Sequence, residues 1–442
     1  MKPNKGRTGR WRKRKHVAVP AVNQSCDIRY VELRKWLKDR GFHDSQLRTA
    51  HFPDTGRGLM TTSLLQPGDM IISLPESCLL TTDTVLKSYL GDHIRRWRPP
   101  ISPLVALCTF LVAERYFGDR SLWKPYLDVL PSSYSCPLCW EPEMVMLLPE
   151  PLRQRAEQQR AVVQEFYFSN VSFFRSLQSL FQEDAENILS YDAMRWAWCT
   201  VNTRTVYMKH TQRDYFSSEQ DVYALAPLLD LLNHSPGVQV EAAFNEEIRR
   251  YEIRTKVRYR KYDQVFICYG HHDNQRLLLE YGFVAANNPH QSVYVTRDVV
   301  LQHLSCADKQ LQKKWSLLKE NGFLDTLWLK ASATFGHDGP SWKLLTALKL
   351  LCLSTEEFTY WKKVLLGSFV SESNERSCME LVRTICQHLL EQTSRALQKI
   401  TAWKSEHATN PHLALVEALR LEELRILQAS DNLLQNGDLL SL

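Results

Sequence analysis

No stretch of the sequence approaches the roughly 18 uninterrupted apolar residues of a membrane span, which excludes a helical membrane protein. The N-terminus is charged but has no apolar core behind it, so no secretory signal is expected. Residues 1–16 contain no acid at all. Beyond Cys136 and Cys139 there is no second CxxC pair and no HxxxH, so the roughly four ligands of a structural zinc site are not in view. The segment Gly56-Arg57-Gly58-Leu59 lacks the third glycine of a dinucleotide fingerprint, and no βαβ unit follows it. No repeat recurs at a fixed period, and no long low-complexity tract is present.

What is there is ordinary for a soluble globular protein: 442 residues, 44% hydrophobic and 24% charged. That length accommodates two or three domains at roughly 150 residues each. The eleven cysteines are odd in number, irregularly spaced and often set in apolar runs. They read as reduced thiols of an intracellular protein, with Cys136 and Cys139 as either half of a metal site or a loop carrying two free thiols. The formal charge is +6, and residues 1–16 alone hold eight basic side chains, so the remaining chain carries −2. Such a tail, here taken as residues 1–27, is expected to be disordered. It serves nuclear import, contact with nucleic-acid phosphate, or neither. The near-neutral body makes nucleic acid a poor main partner, reached only through the tail if at all.

Tyr30, Leu33 and Leu37 predict a helix over 29–41 that stops at Gly41. Phe52 to Leu80 reads as short strands and turns, with Gln66-Pro67-Gly68-Asp69 a tight turn before the strand Met70-Ile71-Ile72. From about Thr82 to Asp221 the pattern is helical, with Leu104, Leu107 and Leu111 on one face and Trp196 and Trp198 as core anchors. Strands return from Val238 to Ile267, and Tyr251 to Val257 alternates with a period of two. Beyond Asn288 the chain is mostly helical. Leu344, Leu348 and Leu351 form one stripe, Val382, Ile385, Leu389, Thr393, Ala396 and Ile400 a second, and a third helix follows Pro411. Gly336 to Pro340 is expected to be a loop between helices.

Four polar elements interrupt this frame. Gly56-Arg57-Gly58 allows backbone to approach a ligand closely, or simply makes a turn. Arg204, closing Asn202-Thr203-Arg204, offers a bidentate partner for a carboxylate, or a surface ion pair. Asp230, Asn233 and His234 end the apolar run Ala226 to Pro236, as a ligand site or as polar caps of a helix end. Tyr269-Gly270, then Asp273-Asn274, then Tyr281-Gly282-Phe283 place two Tyr-Gly pairs around a polar turn. His271 and His272, adjacent in sequence, would point apart in extended chain and read as loop residues, not metal ligands.

In order and spacing these four elements resemble SET-domain protein methyltransferases, in the class typified by the Rubisco large-subunit methyltransferase. The resemblance covers about residues 28–442. It implies an α+β SET fold of short strands in small sheets with a pseudoknot. A helical insert falls at about 82–221 within residues 28–287, followed by an all-α substrate-binding lobe over 288–442. It implies S-adenosyl-L-methionine as cofactor, no metal, and a protein substrate modified on a lysine side chain, histones among the candidates. Gly56, Arg57 and Gly58 look like the loop that holds the methionine part of the cofactor. Arg204 is similar to the arginine beside its carboxylate, and Asn233 and His234 to its anchoring pair. Asp230 matches an acidic residue near both amine and cofactor. Tyr269 matches the catalytic tyrosine and a cofactor contact, Tyr281 a wall of the lysine channel, and Phe283 an adenine contact. One branch of the class methylates histidine, with Asn after the motif arginine and Trp before the motif aspartate. Here those positions are Thr205 and Leu229, which favours lysine. A catalytically weak SET-fold binding module is the other alternative. A monomer of nucleus and cytoplasm, without membrane attachment, is expected.

Overall fold

A computed structural model describes residues 21–304, 308–323, 334–336, 339–406 and 410–436. The expected disordered tail therefore lies outside the described residues, apart from its last few positions, as do Cys306, His337 and Asp338. The chain forms two compact units, each assembled from separated stretches.

The first unit takes residues 21–78, 227–233 and 239–267. Its helix Ile28–Asp39 starts at Asp27, whose carboxylate accepts from the Arg29 backbone N–H at 3.0 Å, and it buries Tyr30, Leu33, Trp36 and Leu37. Gly41, at φ +83°, follows as a left-handed stop. The main sheet runs in the order Val22–Asn23, Leu47–Phe52, Gly56–Thr61, Gln264–Ile267, Asn233–His234. In its antiparallel hairpin His51 faces Arg57 and Phe52 faces Gly56. A second sheet orders Met70–Pro75, Arg250–Thr255 and Val240–Asn245. The period-two reading holds there, because Tyr251, Ile253 and Thr255 are the buried positions of their strand. The turn before Met70 closes through Asp69 N–H to the Gln66 carbonyl at 3.0 Å.

The second unit takes the described residues of 79–226, 234–238 and 268–442. Ser102 caps the helix Pro103–Phe117, its Oγ accepting from Val105 N–H at 3.2 Å. That helix is buried on nearly every side, not along one face: Val105 to Glu114 are all buried, while Leu104 is only half-buried. Its sequence is apolar all round, and neighbouring helices cover it. Buried Glu114 is satisfied by the Tyr89 hydroxyl at 2.8 Å and by Ser121. Trp196 is buried, with its indole N–H on the Pro131 carbonyl at 2.9 Å, whereas Trp198 is half-buried. The helical stretch ends at Arg204, short of the expected Asp221, and Thr205–Tyr207 pairs with Tyr223–Leu225 as a two-stranded sheet.

The C-terminal region is helical, with Leu344, Leu348 and Leu351 buried, and the second stripe is buried in the helix Glu372–Glu406 except for half-buried Ala396. Cys386 Sγ meets the Leu427 carbonyl of the helix Pro411–Asn436 at 3.6 Å. Lys314 is fully buried, its ammonium shared by Asp308 and the Leu351 and Leu353 carbonyls at 2.6–3.1 Å. One feature differs from expectation. Gly336 and Gly339–Pro340 are paired strands, not loop, in a small sheet with Val293–Tyr294. Phe335, buried in that sheet, supplies the burial that two glycines and a proline do not signal. Among the described residues no helix is long and apolar enough to cross a membrane. The ten described cysteines are all free thiols.

Candidate active site

In the first unit the side-chain amide of Asn233 donates to the Arg57 carbonyl at 2.8 Å. This bond ties Asn233 to the strand Gly56–Thr61. Gly56 has φ +69°, a conformation that favours glycine. Gly58 is required for a different reason: a Cβ there would sit 2.7 Å from Gln264 Nε2 and 2.8 Å from Asn233 Nδ2. Gln264 in turn pairs with the Thr55 hydroxyl at 2.8–2.9 Å. Asp230, half-buried, sits in a 3₁₀ turn over Leu229–Leu231. Leu228, Leu229, Leu231 and Leu232 around it are all buried. Leu228 enters that turn at φ +70°, which a leucine adopts at a cost of roughly 1–3 kcal/mol. The apolar run is therefore core, and it ends in a strand (Asn233–His234), not in a helix cap.

In the second unit His234 is 8% exposed. Its Nδ1 accepts the backbone N–H of Tyr269 at 3.0 Å, so the neutral ring carries its proton on Nε2. That Nε2 is buried and, among the described residues, has no hydrogen-bond partner. Burial, and then His272 and His290, push His234 down to about 4 from an ordinary 6.5. Tyr269 lies 4.9 Å from the Tyr281 ring, 5.2 Å from His234 and 6.3 Å from Phe283, centroid to centroid. Phe283 is 6.0 Å from His234 and 6.4 Å from Tyr281. Burial, then Glu280, raise the Tyr281 hydroxyl above its usual range, so it stays protonated.

Local chemistry holds this cluster. Asp273 caps the helix Asn274–Tyr281, its carboxylate accepting from Arg276 N–H at 2.8 Å. Gly282 ends it at φ +77°, where a Cβ would meet Ser135 Oγ at 2.6 Å and Cys136 N at 2.9 Å. The Ser135 hydroxyl donates to the Gly282 carbonyl at 2.7 Å. Buried Asn274 clamps Ala285 by both its amide groups at 2.9–3.0 Å. Tyr281 and Phe283 are thus fixed on either side of one glycine. Buried Glu423 accepts from the Gln275 amide at 3.0 Å and from Arg420 at 3.2 Å, which docks the same helix on Pro411–Asn436.

Arg204 ends the helix Tyr191–Arg204 beside Tyr134, where its charge and a hydrogen bond oppose the burial that raises the Tyr134 hydroxyl. The Tyr134 hydroxyl also bonds Thr200 at 2.9 Å. Asn202 and Thr203 are spent on their own helix, donating to the Trp198 and Cys199 carbonyls. His271 and His272 do point apart. His271 is exposed, 4.8 Å from His290, and His272 stacks on Tyr281 at 6.2 Å. Cys136 lies at the start of a 3₁₀ turn against the Glu280 carbonyl, and Cys139 Sγ is 3.8 Å from Cys199 Sγ. Sequence reasoning passed over Tyr134, Ser135, Gln264 and His290. None carries a local signal, since each acts on residues far along the chain.

The SET-domain family model matches residues 56–270, and the Rubisco LSMT substrate-binding model matches 305–427. The chain is 58% identical to human "SET domain-containing protein 4", over 97% of both chains. It is 24% identical to chicken actin-histidine N-methyltransferase, over 94% of this chain and 70% of that protein. Among solved structures it resembles the SET domain of LSMT bound to lysine and AdoHcy, with TM-score 0.63 and 19% identity. That match covers 93% of this chain and 92% of the other, and it establishes the fold. The chain belongs to the SET-domain family, in the class that joins a SET domain to a Rubisco LSMT substrate-binding region.

Proposed function

We propose that the protein is an S-adenosyl-L-methionine-dependent protein-lysine N-methyltransferase. Residues 28–287 form its methyl-transfer domain and 288–442 its protein-binding lobe. The observation that carries the reading is Tyr269, half-buried and pinned by its backbone to His234, with Tyr281 and Phe283 packed around its ring.

The residues present fit the cofactor. Its carboxylate calls for a cation, the part the resemblance gives to Arg204, at the end of the helix Tyr191–Arg204. Asn233 and the backbone at Gly56 and Gly58 suit the methionine part, and Phe283 suits the adenine. The partnerless, buried Nε2–H of His234 is a donor in want of an acceptor. When bound, S-adenosylmethionine supplies an electrophilic methyl group on a positively charged sulfur.

The chain's own residues prepare the nucleophile. A free lysine amine has a pKa of about 10.4, so little of it is neutral at pH 7. Aromatic walls from Tyr269 and Tyr281 exclude water and disfavour the ammonium. The Tyr269 hydroxyl is assigned to orient the amine lone pair by a hydrogen bond, and the resemblance gives Asp230 the part of the acidic residue. The electron-rich faces of the tyrosines favour a methylated ammonium product by cation–π attraction. The role is one of positioning, and the protein's gain is mainly entropic.

Thr205 and Leu229 support lysine over histidine as the target, as does the lysine named with the solved LSMT structure. The likeness to an actin-histidine methyltransferase supports histidine as the second reading. Histones and non-histone proteins of nucleus and cytoplasm are the proposed substrates, and the protein acts as a monomer. The test is transfer of labelled methyl from S-adenosylmethionine to a proteome-scale lysate, with the modified side chain read by mass spectrometry. Label on lysine is expected. Label on histidine alone replaces this reading with the second. Cofactor binding without transfer leaves a SET-fold binding module.

A further inference from the structure

We propose that His272 is a positioning residue for the Tyr269–Tyr281 pair, holding the backbone of the first and the ring of the second. The inference rests on the methyl-transfer reading above. Gly270 has φ +142°, and a Cβ there would lie 2.4 Å from His272 Nε2 and 2.6 Å from its Cε1. The imidazole thus fills the space a side chain at 270 would take. The ring thus lies against the residue that follows Tyr269, and the Tyr269 backbone favours its protonated form. The same ring stacks on Tyr281 at 6.2 Å with 22° between the planes.

The turn that presents His272 is itself fixed. His272 N–H donates to the Gly270 carbonyl at 2.9 Å, and Asn288 Nδ2 donates to the His272 carbonyl at 2.8 Å. One half-buried side chain therefore links two aromatic residues separated by a loop and a helix. Such coupling matters when a reaction depends on holding two partners in line.

The groups that face His272 are Arg276 and Glu280 on the helix Asn274–Tyr281, Asp273 at its start, and His234. Burial and then Arg276 hold it below the ordinary histidine value, so it is neutral near pH 7. Protonation puts a cation on Tyr281, where it repels a cationic substrate and occupies the aromatic face.

The test compares the full chain with His272→Ala, His272→Phe and His272→Asn. His272→Ala is expected to lower kcat for methyl transfer at least tenfold, with cofactor affinity held within about threefold. His272→Phe, which keeps the stacked ring, recovers part of that loss; His272→Asn, which keeps only a donor, recovers less. The ratio of wild-type to His272→Phe activity falls as pH drops through the His272 titration, a change a passive packing role would not produce. In ¹³C-tyrosine-labelled protein the Tyr281 ring signals shift over the same pH range in wild type and not in His272→Phe. Wild-type kcat in His272→Ala, or a pH-independent ratio, overturns the proposal. If the wild type transfers no methyl group to any substrate, the methyl-transfer reading falls, and unmoved Tyr281 signals then overturn the His272 assignment separately. Should His272→Ala not fold, the His272→Phe ratio and spectra decide.

Discussion

The backbone N–H of Tyr269 points at Nδ1 of His234, 3.0 Å away. That bond forbids a proton on Nδ1 unless it breaks. It therefore couples the charge of one buried ring to the placement of another residue's backbone. His234 enters the folded state neutral, with its folded pKa near 4 and its ordinary value 6.5. Between these values the unfolded chain binds the proton and the folded chain does not. Stability is accordingly expected to fall as pH drops from about 6.5 to about 4, and the His234 contribution to level off below that. Urea midpoints of wild type and His234→Gln, taken at several pH values, check this. The difference between the two proteins should change across that window and stay constant above pH 7.

Tyr269→Phe removes one hydroxyl and keeps the ring among its aromatic neighbours. Turnover should drop by about tenfold or more, in keeping with loss of an orienting hydrogen bond, while S-adenosylmethionine binding by calorimetry stays near wild type. Unchanged turnover would remove Tyr269 from its assigned role.

Gly58→Ala drives a methyl group against Gln264 and Asn233. Both side chains are already committed, Asn233 to the Arg57 carbonyl and Gln264 to Thr55. Cofactor affinity should weaken about tenfold or more, with a stability loss of about 1–3 kcal/mol from overpacking. Calorimetric titration and chemical denaturation separate the two effects. Full affinity in this variant would mean that the loop does not touch the cofactor.

Glu423→Ala strands the Gln275 amide and Arg420 inside the protein. Removing one partner of a buried, charged network costs about 3–5 kcal/mol. Because Gln275 belongs to the helix that ends at Tyr281, the variant should also raise the KM for protein substrate. Denaturation midpoints and steady-state kinetics at fixed cofactor measure both, and a loss under 1 kcal/mol would contradict the docking role of Glu423.

Much of this protein was legible in its sequence, because the signals are local. Alternation over Tyr251 to Val257, the leucine stripe of 344–351, and the turn at Gln66 to Asp69 each depend on neighbours within a few residues. The order of the Gly56, Arg204, Asn233 and Tyr269 elements carried the family. Tertiary structure decided the rest. The all-round apolar sequence of the helix Pro103–Phe117 agrees with its burial, but which elements cover it only the packed chain decides. The small sheet around Phe335 joins residues about forty apart. His272 is the loop residue its sequence suggests, but only the fold brings Gly270 and Tyr281 against its ring. Residue types and spacings determine which chemistry is on hand. Only the packed chain, where a missing Cβ or a buried nitrogen acquires a neighbour, decides which side chain holds which.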